Sequence, residues 1–117
     1  MSANVKPFFE DTTIPHLNSI VNGDCYELCK ELPPNSIDCV ITSPPYFQQR
    51  DYGSSVGEEE TINEYIYSLT KVVKELVRVV KPTGSILYNV GDKYLPNDGL
   101  QLIPYKFAEH IKNELNL

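Results

Sequence analysis

Ile37–Asp38–Cys39–Val40–Ile41, running on into Thr42–Ser43–Pro44–Pro45–Tyr46, is the stretch that decides the fold of this chain. Its first half is a short apolar run with β-branched side chains and reads as a buried strand. Its second half stops that strand. Two consecutive prolines lack backbone N–H groups and have a fixed φ, so they hold an extended, rigid turn. Neither proline can draw the carbonyls of the turn into a local ladder, so those carbonyls stay free to accept from another group. The Ser43 hydroxyl and the Tyr46 ring complete a slot. A flat molecule with an exocyclic NH2 fits such a slot.

Working outward, Asn18–Ser19–Ile20–Val21–Asn22 is a second apolar run, closed by Gly23 and Asp24, and is expected to be a strand. Residues 25–32 read as a short helix, with Asp24 as its cap, Glu27 as the capping-box partner and Pro33 and Pro34 as its end. Downstream, residues 47–60 have no hydrophobic period and hold Gly53, Gly57 and three successive glutamates. They read as a mobile loop beside the turn, a usual place for lids and binding loops. Arg50 and Tyr52 are its candidates for substrate contact.

Thr61 and Glu64 then form a capping-box pattern. Ile62, Tyr65, Ile66, Leu69, Val72, Val73, Leu76, Val79 and Val80 recur at helical spacing and make a core stripe. Lys81, Pro82, Thr83 and Gly84 supply a stop. Residues 85–90 read as a further strand, closed by Gly91 and by Asp92, which is expected to cap a turn. A last helix opens around Ile103 and Pro104, with Phe107, Ala108, Ile111 and Leu115 on its apolar stripe and His110 on its polar face. Strands alternating with helices predict an α/β fold with a parallel sheet.

Residues 42–46 resemble the catalytic motif of the amino-methylating DNA methyltransferases, in the Ser-Pro-Pro-Tyr form of the N4-cytosine branch. The Asp-Pro-Pro-Tyr form is commoner among N6-adenine enzymes. The resemblance extends over about residues 19–117, with residues 42–46 as its specific part. It implies a partial Rossmann-like, S-adenosylmethionine-dependent methyltransferase fold with an incomplete sheet. It also implies that Asp24 binds the adenine part of the cofactor; as a carboxylate at a strand end it can be helix cap and ligand at once.

The implied reaction has no covalent intermediate. The exocyclic nitrogen of a target base flipped out of duplex DNA attacks the methyl group in line. Ser43 and the Pro44 carbonyl are the expected acceptors for its N–H groups, Pro45 fixes the turn, and Tyr46 stacks on the base. Ser43, Pro44, Pro45 and Tyr46 thus form the candidate catalytic set, and Asp24 the cofactor residue.

The family's glycine loop, of Phe-x-Gly-x-Gly type, has no counterpart, because no two of the glycines at 23, 53, 57, 84, 91 and 99 are separated by one residue. The element order is that of a permuted, beta-type branch in which the catalytic half comes first. The organisation expected is an arm at 1–17 and the catalytic-motif half of a methyltransferase domain at 18–117. The glycine-loop half and the target-recognition domain would come from elsewhere, and the isolated chain is expected to be inactive. In the family's sheet, two strands of that other half separate the strand before Asp24 from the strand before Ser43.

A net charge of −6, from 16 acidic and 10 basic side chains, makes a poor phosphate binder by itself. Three cysteines do not form a disulfide framework. Cys25 and Cys29 have no Cys/His pair to complete a metal site, and Cys39, inside a strand, is expected to be inert. No apolar run is long enough to span a bilayer, and residues 1–11 lack a signal pattern, which makes the cytoplasm the expected compartment. Two other readings stay open at this level: an N6-adenine methyltransferase, and a non-catalytic remnant or partner subunit. Methylation of RNA or protein ranks lower.

Overall fold

The computed structural model describes residues 14–51, 53 and 56–117. Most of the N-terminal arm, and Tyr52, lie outside the described residues. The elements are α1 (Cys25–Lys30), β1 (Ile37–Thr42), α2 (Ile62–Val79), β2 (Val80–Tyr88), β3 (Tyr94–Leu95), β4 (Gly99–Leu100) and α3 (Ile103–Leu115). β1 and β2 pair in parallel, with α2 as the crossover, and β3 and β4 form a small antiparallel hairpin.

α2 forms where its cap and stripe demand. Thr61 Oγ1 accepts from Glu64 N at 3.2 Å and Glu64 Oε2 accepts from Thr61 N at 3.1 Å, closing the capping box. Tyr65, Ile66, Leu69, Val73, Leu76 and Val79 are buried along one face. Across from them lie Ile103 and Phe107 of α3, and Phe47 from the segment after β1 joins the same core. The loop expected at residues 47–60 is anchored at its two ends, by Phe47 and Gln48 and by Gly57 and Glu59, while Tyr52, Ser54 and Ser55 lie outside the described residues. Phe47 is 4 % exposed, and Gln48 N donates to Gly57 O at 2.6 Å while Gln48 Nε2 donates to Glu59 O at 2.9 Å. Hydrophobic periodicity carries no signal for a lone, deeply buried aromatic such as Phe47.

α2 ends earlier than its Pro-Gly stop suggests. Val80 is already extended, with ψ 136°, because Pro82 disfavours helix at Lys81 and Val80 pairs with Ile37. β2 consequently begins at Val80. Its register then jumps: Ile37 faces Val80, whereas Cys39 faces Ser85. The extra residues of β2 bulge out, and Gly84 brings the strand back. A Cβ at Gly84 would lie 2.5 Å from Val80 Cγ1 and 2.7 Å from the Asp38 carbonyl. Gly84→Ala is therefore expected to destabilise the fold by about 1–3 kcal/mol through overpacking, read as a lowered midpoint in urea denaturation with an unchanged slope.

The strand expected at residues 18–24 does not form. The segment has no ladder partner, and Ile20 is fully exposed. Among the described residues the parallel sheet consists of β1 and β2 alone, and a strand without a neighbour leaves its backbone groups to water. α1 does form. Asp24 Oδ1 accepts from Glu27 N at 3.1 Å, but Glu27 turns to Lys30 instead of closing a capping box. Arg78 of α2 holds the other end of α1, donating to the carbonyls of Leu32 and Cys29 at 2.9 Å each.

The sheet has two unlike faces. Tyr88 turns to α3, its ring centroid 5.3 Å from that of Phe107. The alternate positions point the other way, leaving Ile41 79 % and Leu87 50 % exposed. Cys39 shares that face and is exposed, so lying in a strand does not shield it. Cys25 is exposed and Cys29 half-buried, and partial burial pushes both thiols above their ordinary range. No cluster among the described residues could hold a metal ion, and no described helix is long and apolar enough to cross a membrane.

Candidate active site

β1 and β2 run in the same direction and end together, Thr42 opposite Tyr88. Two segments therefore leave the sheet side by side at its carboxyl end, the usual ligand end of an α/β sheet. One is Ser43 to Tyr46, the other Asn89 to Asp92. The Asn89 N–H donates to the Thr42 carbonyl at 2.9 Å and ties the two together.

The double-proline turn sits on the first turn of α2. Tyr65, with no exposed surface, donates its hydroxyl to the Pro45 carbonyl at 2.6 Å. Only one of the two proline carbonyls thus matches the expectation of a free acceptor. Pro45 is engaged from below, while no hydrogen bond among the described residues reaches the Pro44 carbonyl. Tyr65 reads from sequence as core alone. The available signal is that a buried tyrosine in an aliphatic stripe needs a partner for its hydroxyl. Tyr65→Phe keeps the ring and leaves the Pro45 carbonyl unpaired, so a loss of about 1–3 kcal/mol in unfolding free energy is expected, measured by chemical denaturation.

Ser43 and Tyr46 are brought together. Ser43 Oγ donates to the Tyr46 hydroxyl at 3.3 Å, and Asn89 Nδ2 donates to the same oxygen at 3.1 Å. With its one proton turned to Tyr46, Ser43 keeps its lone pairs for incoming N–H groups. The Tyr46 ring lies on Gly91, where a Cβ would stand 2.7–2.9 Å from three ring carbons. On the other side of the turn, Gly57 has φ +96°, and a Cβ there would lie 3.0 Å from Pro45 Cβ. Asn89 and Gly91 are absent from the sequence-derived site because strand-end residues carry no periodic signal.

The surrounding residues fix this frame. Asp92, expected to cap a turn, caps α3 instead: its Oδ1 accepts from Lys93 N at 2.8 Å and from Ile103 N at 3.1 Å, in place of Leu102, which offers no side-chain cap. Lys93 Nζ reaches Gln48 Oε1 at 2.9 Å and lies over the Phe47 ring. Burial raises the Tyr88 phenol well above its ordinary range, which keeps it neutral in the core. Arg50 is exposed, and His16 Nε2 pairs with Glu31 Oε2 at 2.6 Å. Asp24 is exposed at the start of α1, and no hydrogen bond among the described residues joins it to the turn.

The type II methyltransferase M.MwoI of Methanothermobacter wolfeii is 41 % identical over 97 residues, covering 79 % of this chain and 14 % of that protein. M.SmaI of Serratia marcescens is 40 % identical over 77 residues, covering 64 % of this chain and 26 % of the relative. Among solved structures, the PvuII DNA methyltransferase (cytosine-N4-specific) superposes with a TM-score of 0.68 at 28 % identity, over 82 % of this chain and 33 % of that one. This chain therefore spans a third or less of the length of each of these proteins, and within that span the fold is that of the methyltransferases. A family profile described as DNA methylase, of the N6/N4 type, matches residues 37–117, and the chain belongs to that family.

Proposed function

We propose that this chain carries the base-binding side of an amino DNA methyltransferase acting on the exocyclic N4 of cytosine within a specific DNA site, as in restriction-modification. The observation that carries the reading is the unequal pair of proline carbonyls. Tyr65 engages that of Pro45, whereas no hydrogen bond among the described residues reaches that of Pro44, which adjoins a serine whose proton is turned to Tyr46. Those two oxygens accept the N–H groups of the target amine. Accepting them shifts electron density onto the nitrogen, whose lone pair is otherwise delocalised into the ring. Preorganised acceptors act here as oxyanion-hole donors do elsewhere, with the sign reversed. Pro45 keeps the turn rigid, and Tyr46 stacks on a base that has left the duplex. Serine is neutral near pH 7, so the proton leaves after methyl transfer.

Enzymes of the N6/N4 family draw their methyl group from S-adenosylmethionine, which supplies an electrophilic carbon bound to sulfur. The residues present fit one end of it. Asp24 is exposed and keeps one carboxylate oxygen without a partner among the described residues, and it would hold the adenosine part. The methionine end needs a glycine loop. The open face at Ile41 and Leu87 supports its arrival on a further stretch of polypeptide or a complementing chain, since a parallel sheet is ordinarily covered on both faces. Cytoplasmic action on DNA follows from this reading.

Digestion of DNA treated with the active assembly, followed by nucleoside mass spectrometry, tests it. N4-methylcytosine is expected. 6-Methyladenine alone would replace the cytosine assignment by the adenine one, and no methylated nucleoside would favour a binding subunit.

A further inference from the structure

We infer that Asn89 is a positioning residue, a clamp that holds the Tyr46 ring in register with Ser43 and acts on the reaction only through Tyr46. The inference rests on the methyltransferase reading above. The two prolines make the backbone of the turn rigid, but they leave the χ1 torsion of Tyr46 to choose among staggered rotamers. Something outside the turn must fix it. Asn89 reaches both ends of the turn at once. Its main-chain N–H holds the Thr42 carbonyl at 2.9 Å, immediately before Ser43, and its side-chain amide holds the Tyr46 hydroxyl at 3.1 Å. Two residues on, Gly91 gives the ring a flat bed of backbone, with no room for a Cβ. Hydroxyl and ring are thus fixed from the same segment, and that segment is tied to β1. The distance from Ser43 Oγ to the Tyr46 hydroxyl, 3.3 Å, is the quantity the clamp sets. It separates the acceptor for the amine from the ring that stacks on its base.

A clamp of this kind affects turnover and not the grip on DNA, because orientation matters at the reacting atoms. In the active methyltransferase assembly, Asn89→Ala is expected to lower kcat about tenfold with KM for DNA and for the methyl donor unchanged. Tyr46→Phe is expected to do about the same, and the double variant to be no slower than Tyr46→Phe alone. Losses that multiply, or a rise in KM, would overturn the inference. A readout independent of activity accompanies the kinetics. With tyrosine labelled at 13Cζ, the Tyr46 resonance, assigned by its absence in Tyr46→Phe, is expected to move in Asn89→Ala and to stay in Asn97→Ala, a change in the exposed loop between β3 and β4. An unmoved resonance in Asn89→Ala would also overturn it. Should the wild-type assembly transfer no methyl group, the methyltransferase reading fails, and the resonance still decides whether the clamp exists.

Discussion

In the active methyltransferase assembly, Tyr46→Ala is expected to lower kcat/KM for methyl transfer by roughly 100-fold, well beyond the effect of Tyr46→Phe. Two losses combine in the alanine variant. A base held outside the duplex has surrendered its stacking neighbours, and an aromatic platform returns about 1–3 kcal/mol of that per base. The variant also removes the oxygen to which Ser43 and Asn89 both donate, so the Ser43 hydroxyl is free to rotate its proton toward the incoming amine. The phenylalanine variant keeps the platform and loses only the oxygen. Steady-state kinetics with a labelled methyl donor separates the two, and fluorescence of 2-aminopurine at the target position reports stacking directly. Equal losses in the two variants would mean that the hydroxyl matters and the ring does not. Both variants are expected to fold, because Tyr46 is only half-buried and stands apart from the core built by Phe47, Tyr65 and Ile103.

What the sequence reveals and what it hides divide along a physical line. The α2 crossover is legible because its signals are local: a capping box at Thr61 and a stripe at helical spacing that ends in β-branched residues. The turn at Pro44 and Pro45 is legible because proline restricts backbone angles wherever it stands. The N-terminal strand misleads for the opposite reason. An apolar run becomes a strand only when a neighbour takes its hydrogen bonds, and the run at residues 18–24 meets none among the described residues. The hairpin of β3 and β4 was readable from Pro96, Asn97, Asp98 and Gly99, a turn signature whose glycine takes φ +74°, yet strands this short carry no alternation to mark them. Within the site, Ser43 and Tyr46 announce themselves by the motif. Tyr65 and Asn89 do not, because the side chain of each matters through a long-range hydrogen bond, to residues 20 and 43 positions away respectively.

Ile41→Asp is expected to abolish methyl transfer while leaving the fold of this chain intact. Ile41 is 79 % exposed on the face of β1 turned away from α2, so a carboxylate there meets water and costs the isolated chain little. Asp38 and Lys81, which pair at 2.8 Å on the exposed strand edge, show that charge is tolerated at the rim of this sheet. In an assembled enzyme whose remaining polypeptide covers that face, the same carboxylate is buried without a partner. An uncompensated buried charge costs about 3–5 kcal/mol, which corresponds to a loss of assembly of roughly 100-fold or more. Leu87→Asp acts on the adjacent position, Leu87 being the register partner of Ile41, and is expected to behave alike. Thermal denaturation of the chain, set beside the activity and sedimentation of the assembly, makes the comparison. An unchanged melting midpoint with lost activity assigns the face to an interface. Retained activity would mean that the face stays open in the working enzyme and that the rest of the cofactor site approaches from another side. A melting midpoint lowered in the chain alone would mean that Ile41 already packs against the fold in solution, and the variant would then say nothing beyond stability.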